Sequence, residues 1–371
     1  MDNEKINQIA LTMLPEIGAI TAKKLIAYTG SASAVFSERA SSLLKIPGIG
    51  PQIISRINLS EIMPEAEKEI AFIERHHIEA ISFLEKAYPE RLRNCEDGPV
   101  ILYLKGINCL SSSRILSVVG TRNATAEGRD LCKTIVTSLA LRFPELVIVS
   151  GLAYGIDITA HRSALEQGIN TVAVMAHGLH TIYPSAHRET AIKITGQGAL
   201  VTDFTTRNKP ERNNFLRRNR IIAGLADATL VIESGEKGGA LITAELASSY
   251  SREIMAVPGR VSDIYSKGCN MLIKKSIAAL VEDGVDVAEI LNWDCREVCP
   301  VTVPLLNTPL NDEEEKILRF IQSEHEASTE FTSIRTGIPI HKCISLMVSM
   351  ELRGWLLILP GNLYRLRVKL P

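Results

Sequence analysis

Seven short runs of β-branched and other apolar residues recur along the middle of this 371-residue chain, and they narrow its fold more than any other feature. They are ILSVVGT, LVIVSG, TVAVMAHG, ALVTDF, ATLVIES, EIMAVPG and AALVEDG. Segments long enough for a crossover helix lie between them, such as AEGRDLCKTIVTSLALRF and IDITAHRSALEQG. A strand that is apolar throughout, rather than at alternate positions, is covered on both faces, and helical crossovers supply that cover for parallel strands. The pattern predicts an α/β, doubly wound, mostly parallel Rossmann-like sheet.

The flanks follow other rules. Residues 1–90 carry apolar positions at helical spacing in INQIALTML, TAKKLIAYTG, ASSLLKI and AEKEIAFIERHH, punctuated by Pro and Gly, and are expected to form a helical domain. Within it, IPGIGPQIISRI resembles a helix–hairpin–helix (a SAM-like arrangement), with Gly48, Ile49 and Gly50 forming the turn between helices. Residues 91–292 form the Rossmann-like core, and 293–311, rich in proline and without period, a linker. Residues 312–371 are expected to build a small winged-helix-like domain. DEEEKILRFIQ places acids in a first helical turn, where the macrodipole favours them. STEFTSIRTGIP and HKCISLMVSMELRG are two further helices, and WLLILPGNLYRLRV is a hairpin turning near Pro360, Gly361 and Asn362.

The net charge of -1 excludes a chain coated in basic charge, so nucleic-acid binding would have to be local. The seven cysteines are scattered, and Cys295 and Cys299 lack a second pair of ligands, so reduced thiols and no metal site are expected. No apolar run reaches the ~18 residues of a membrane helix, and no signal peptide is evident. A cytoplasmic location is the expectation.

Ligands of open α/β sheets bind beyond the carboxyl ends of the strands. After the first run come Gly120, Thr121 and Arg122, a small residue and a fixed cation at a helix N-terminus, where free N–H groups attract an anion. After the second come Gly151, Gly155 and Asp157, the last placed to cap a helix. After the fourth lies RNKPERNNFLRRNRIIAG, expected as a loop leading into a helix. It holds six cations in fourteen residues (Arg207, Lys209, Arg212, Arg217, Arg218 and Arg220), with Asn213, Asn214, Asn219 and Phe215 among them. Such a run is either a solvated face or a site whose Arg and Asn side chains meet phosphates while a ring receives a base. After the fifth, Gly238 and Gly239 precede a helix that offers the Thr243 hydroxyl. His177, His180 and His187 lack a companion set of metal ligands, and no phosphate-binding loop, nucleophile elbow or HExxH motif is present.

GTRNAT, SGLAYGID, FLRRNRIIAGLADATLVIES, GGALITAELA, MAVPG and KGCNMLI occur in this order, and in combination they resemble the DNA-processing protein A (DprA/Smf) family. The resemblance implies a non-enzymatic protein without cofactor that binds single-stranded DNA, recruits a RecA-type recombinase during natural transformation and forms homodimers. It implies DNA contacts by Gly120, Thr121, Arg122, Gly151, Arg212, Asn214, Phe215, Arg217, Arg218, Asn219, Arg220, Gly239 and Thr243. Two departures stand out: Gly238-Gly239-Ala240 where many members carry a hydroxyl residue, and His187 where they usually carry Asn. Two other readings remain open. GGALITAE is similar to the motif of nucleotide phosphoribohydrolases, with Glu245 as the catalytic candidate, and the chain could instead be a protein-interaction adaptor. The C-terminal segment is expected to contact protein rather than read duplex sequence.

Overall fold

The computed structural model describes residues 3–293, 310–359 and 361–368. Most of the expected linker, Cys295, Cys299 and Pro360 therefore lie outside the described residues. The nine strands of the main sheet are β1 (Glu79–Ser82), β2 (Ile101–Gly106), β3 (Ile115–Val119), β4 (Val147–Ser150), β5 (Asn170–Val174), β6 (Gly198–Thr202), β7 (Ala228–Val231), β8 (Glu253–Ala256) and β9 (Ala279–Leu280). Their order across the sheet is β1-β2-β6-β5-β4-β3-β7-β8-β9. From β6 to β9 every neighbouring pair is parallel, while β1 and β2 add an antiparallel edge.

All seven apolar runs are strands, β3 to β9. Their burial explains their composition: every residue of β3, β4, β6 and β7 is buried, so neither face had room for a polar alternation. Helices Ala126–Arg142 and Ile156–Glu166 bring Cys132, Ile135, Val136, Leu139, Ile156 and Ala160 against Leu116, Val118, Ile148 and Leu230 in one apolar layer.

The edge departs from expectation. Strand β1 falls inside the stretch 1–90, which was expected to be helical throughout. Its last three residues are buried, and its Ile81 pairs with Leu102 of β2. A four-residue segment has no period of its own, so the long-range pairing decided its state.

Of the described residues, those within Met1–Ala71 and Val298–Pro371 gather in one compact unit, and Phe72–Glu297 form the other. In the first unit, helices Asn3–Met13, Ala19–Thr29 and Ala32–Ser37 pack together, and Gly48 takes φ +80° in the expected turn. The C-terminal part runs from helix Asp312–Glu324 to β10 (Glu326–Ser328), helices Thr329–Thr336 and Ile340–Leu352, then β11 (Leu356–Leu359) and β12 (Leu363–Leu366). These strands form an antiparallel sheet in the order β10-β12-β11. A capping box between Asn311 and Glu314 starts its first helix. Helix Thr329–Thr336 packs on Ala19–Thr29, so the two ends of the chain share a unit, a pairing that no local pattern announced.

Ile148 sits wholly buried at the centre of the sheet, and its truncation leaves a cavity that close-packed neighbours cannot fill. Ile148→Ala should lower the unfolding free energy by about 2–5 kcal/mol, read as a lower urea midpoint at unchanged slope. Leu141→Ala, at a side chain 76% exposed, should change it by less than about 0.5 kcal/mol.

Candidate nucleic-acid interface

Strand β3 lies between β4 and β7, so the chain leaves it in opposite directions, first through β4, β5 and β6 and later through β7, β8 and β9. A crevice opens at such a switch point, beyond the carboxyl ends of the strands. The loops after β3, β4, β5, β6 and β7 all end there.

The loop after β3 is shaped by one buried carboxylate. Glu233, just past β7, accepts hydrogen bonds from the backbone N–H of Thr125 (2.9 Å) and from its hydroxyl (2.5 Å). Its own carbonyl accepts from the Thr121 N–H at 2.8 Å. The Thr125 side chain in turn caps helix Ala126–Arg142. This network fixes the backbone of Gly120, Thr121 and Arg122, and Arg122 itself is exposed. Gly120 has no space for a side chain, because a Cβ there would stand 2.4 Å from Ile156.

The basic run after β6 is not the expected loop. Residues Arg212–Leu225 form a helix whose buried positions Asn214, Arg218, Ile221, Ile222 and Leu225 recur at helical spacing and face the sheet. The helix divides the six cations. Arg207, Lys209, Arg212 and Arg217 are exposed, while Arg218 and Arg220 turn inward.

Arg218 occupies the floor of the crevice. It donates to the Val174 carbonyl at the end of β5 (2.9 Å), and its guanidinium fills the place a Cβ on Gly151 would need. Glycine is required at 151 for this close approach. Burial brings the Arg218 pKa down to about 10, opposed by the carboxylate of Asp157. Burial pushes the Asp157 pKa up, and Arg218 opposes that shift. Asp157 is therefore not simply a cap. It lies in the first turn of helix Ile156–Glu166, whose N-cap is Gly155, and it balances Arg218.

Arg220 points to the other side. It pairs with the buried Asp203 and donates to the carbonyl of Asp97, whose carboxylate accepts from Tyr250 at 2.7 Å. Asn214 donates to the Lys209 carbonyl (3.0 Å), closing the loop before the helix, and Asn219 reaches the Gly239 carbonyl at 3.5 Å. Thr243 is buried, with its hydroxyl on the same Gly239 carbonyl at 3.4 Å. Arg220 and Asn219 thus join separate elements, while Asn214 and Thr243 make local bonds. Gly239 has open space around its Cα. Glu245 lies on the exposed face of its helix.

Exposed cations here stand against rings, Tyr183 and Phe215 at least partly open to solvent and Phe204 buried. The Arg122 guanidinium stands 5.4 Å from the Phe215 ring centroid, Tyr183 stands 5.7 Å from that ring on another side, and Arg217 lies 5.2 Å over Phe204. Tyr154, half exposed, meets the buried His187 edge to face at 4.8 Å, and His187 bonds the Leu152 carbonyl at 2.7 Å. Among the described residues, Arg122, Arg207, Lys209, Arg212 and Arg217 have no acidic partner. Sequence reasoning missed Tyr154, Tyr183 and Glu233. The two tyrosines sit in short loops with no period, and the role of Glu233 depends on a contact with a loop 108 residues away.

The family model for DNA recombination-mediator protein A matches residues 79–292. The chain is 32% identical to Protein Smf of Escherichia coli K12 over 308 residues, which cover 81% of either chain. Its fold superimposes on the crystal structure of DNA processing protein A from Streptococcus pneumoniae with a TM-score of 0.65 and 30% identity, over 78% of this chain and 98% of that one. The structure of DNA processing protein A from Helicobacter pylori, which shows a single-stranded DNA binding mode, matches with a TM-score of 0.53 and 27% identity, over 58% of this chain and 96% of that one.

Beneath the crevice, the hydroxyl of Thr171 donates to the Ile148 carbonyl at 2.8 Å and therefore accepts from His161 Nδ1 at 2.7 Å. The second ring nitrogen of His161 is buried without a hydrogen-bond partner. Burial first, and the charge of Arg218 second, bring its pKa down to about 3. A folded pKa below the ordinary value of 6.5 means that the unfolded chain takes up the proton first, so the stability is present above pH 6.5 and drains away as pH falls toward 3. Denaturant titrations of wild type and His161→Gln should show the variant less stable at neutral pH, with the gap narrowing as the pH is lowered.

Proposed function

Because this chain belongs to the DNA recombination-mediator protein A family, we propose that it binds single-stranded DNA along the carboxyl edge of its Rossmann-like sheet and delivers the strand to a RecA-type recombinase. The observation that carries the reading is the row of unpaired cations, Arg122, Arg212 and Arg217, interleaved with Phe215 and Tyr183. Single strands are held by a positive track with aromatic surfaces on which bases stack, and every base has a face to stack. Gly120, Thr121 and Gly239 keep the track open to a phosphodiester backbone. Arg218, Asn214, Asn219 and Thr243 support it from below, and Arg220 holds the helix that carries it. The near-neutral charge of the chain confines binding to this track and makes it sensitive to salt.

In this reading the protein carries out no covalent chemistry, works as a homodimer in the cytoplasm and serves DNA uptake during transformation. The family membership supports the role in DNA handling. The C-terminal helices and antiparallel sheet support a winged-helix-like assignment. Ile344, Val348 and Leu352 project from helix Ile340–Leu352 to solvent at helical spacing, which favours contact with protein over contact with base edges.

Fluorescence anisotropy with a labelled single strand and its duplex tests the reading. Arg122→Ala and Arg217→Ala should each weaken single-strand binding about tenfold and lower the slope of log affinity against log salt by about 0.7, the loss of one phosphate contact. Phe215→Ala should cost about 1–3 kcal/mol at any base sequence. Arg220→Ala should act on the fold instead, costing about 3–5 kcal/mol of stability because it strands Asp203. Equal affinity for single strand and duplex, untouched by Arg122→Ala, would overturn the proposal.

A further inference from the structure

A second cavity, of about 510 Å³, opens on the outer side of the loop that carries Tyr183. Its wall is one face of helix Arg188–Gln197, displaying Arg188, Ala191, Ile192 and Thr195, and Lys105 of β2 stands opposite beside Leu200 of β6. Every ionisable group that lines it, Lys105, Arg188 and His180, is basic, and no carboxylate does. Among the described residues neither Lys105 nor Arg188 has an ion-pair or hydrogen-bond partner. Unspent cations around a concave surface are the signature of a site that receives an anion.

The remaining lining specifies the anion further. Leu179, Ile182 and Ile192 add apolar side chains to a lining that is otherwise largely polar, and Ile192 is 62% exposed. Thr181, Ser185 and Thr195 add hydroxyls around the rim. A bare phosphate would leave Ile182 and Ile192 unused, and an apolar ligand would leave three basic groups without a partner. A flat ring joined to a phosphate satisfies both. The volume falls in the range of roughly 300–1,000 Å³ typical of small-ligand sites, ample for one nucleotide.

We propose that this cavity seats one nucleoside monophosphate unit, with its phosphate between Lys105 and Arg188 and its base against Ile182 and Ile192. Ile182 lines the cavity, and the next residue, Tyr183, meets Phe215 at 5.7 Å. One loop thus separates the cavity from the row of cations and rings, and a strand lying on that row continues over the loop into the cavity. The continuation along a strand rests on the single-strand reading above, whereas the capture of a nucleotide does not.

Two measurements on the full chain test this. In the first, wild type and the double variant Lys105→Glu, Arg188→Glu bind labelled oligothymidylates of roughly 4 and roughly 16 nucleotides, lengths that bracket a single module. The variant should lose about tenfold in affinity for the long strand, with a shallower salt dependence, and keep its affinity for the short one. In the second, thymidine monophosphate is titrated while the imidazole resonances of His180 are followed by NMR. They should shift in wild type and stay still in the variant. A His180 shift without length dependence assigns the cavity to free nucleotides, and both together assign it to the strand. A variant that binds the long strand like wild type, with no His180 shift in either protein, overturns the proposal. Failure of wild type to bind either strand would instead overturn the single-strand reading, and the His180 titration would still decide the cavity. Retention of the wild-type Tm shows that the double variant is folded.

Discussion

The buried guanidinium of Arg218 holds the candidate site together. It lies against Gly151 at the end of β4, donates to Val174 at the end of β5 and faces the carboxylate of Asp157 at the start of a third element. A charge taken out of water at that depth is tolerable only when several partners are fixed around it at once. That requirement sets the height and rotation of helix Arg212–Leu225 on the sheet. Once the helix is set, Phe215 meets Arg122, and Arg217 and Arg212 are left facing solvent. The aim of the exposed side chains is therefore a consequence of the one that is hidden.

The same economy appears across the switch point. Glu233 ends β7 yet organises the loop after β3, through the N–H and hydroxyl of Thr125 and the N–H of Thr121. Two carboxylates, Asp157 and Glu233, thus lie buried beneath a surface on which Arg122, Arg207, Lys209, Arg212 and Arg217 are exposed and Glu211 is the one acid within the basic run. Buried acids hold the loops, and exposed bases remain free of partners. This division lets a chain of net charge -1 present a strongly basic strip.

The crevice also has a neutral buried histidine among its supports. His161 keeps an unprotonated nitrogen facing the field of Arg218, so the arrangement beneath the site carries one positive charge and not two. Protonation there would set two cations against each other at buried positions, where screening is weak. The site is built for the neutral form of this ring.

The sequence by itself determined the α/β core. Continuous apolar runs with helical segments between them admit few solutions other than covered parallel strands, and all seven runs became parallel strands, with only the two-residue edge strand β9 left largely uncovered. It also marked the chemistry of the site, because six cations within fourteen residues are visible without coordinates. Only the tertiary structure decided which of those cations are available. Arg217 and Arg218 are neighbours of identical chemistry, yet one faces solvent and the other fills the space left by Gly151. The difference is the rotation of a helix that neither residue sets alone. Strand β1, the shared unit formed by the two ends of the chain and the meeting of Phe215 with Tyr183 were decided in the same way, by contacts between segments far apart in sequence. Local periodicity records which face of an element is buried. It carries no record of what that face is buried against, because that depends on residues elsewhere in the chain.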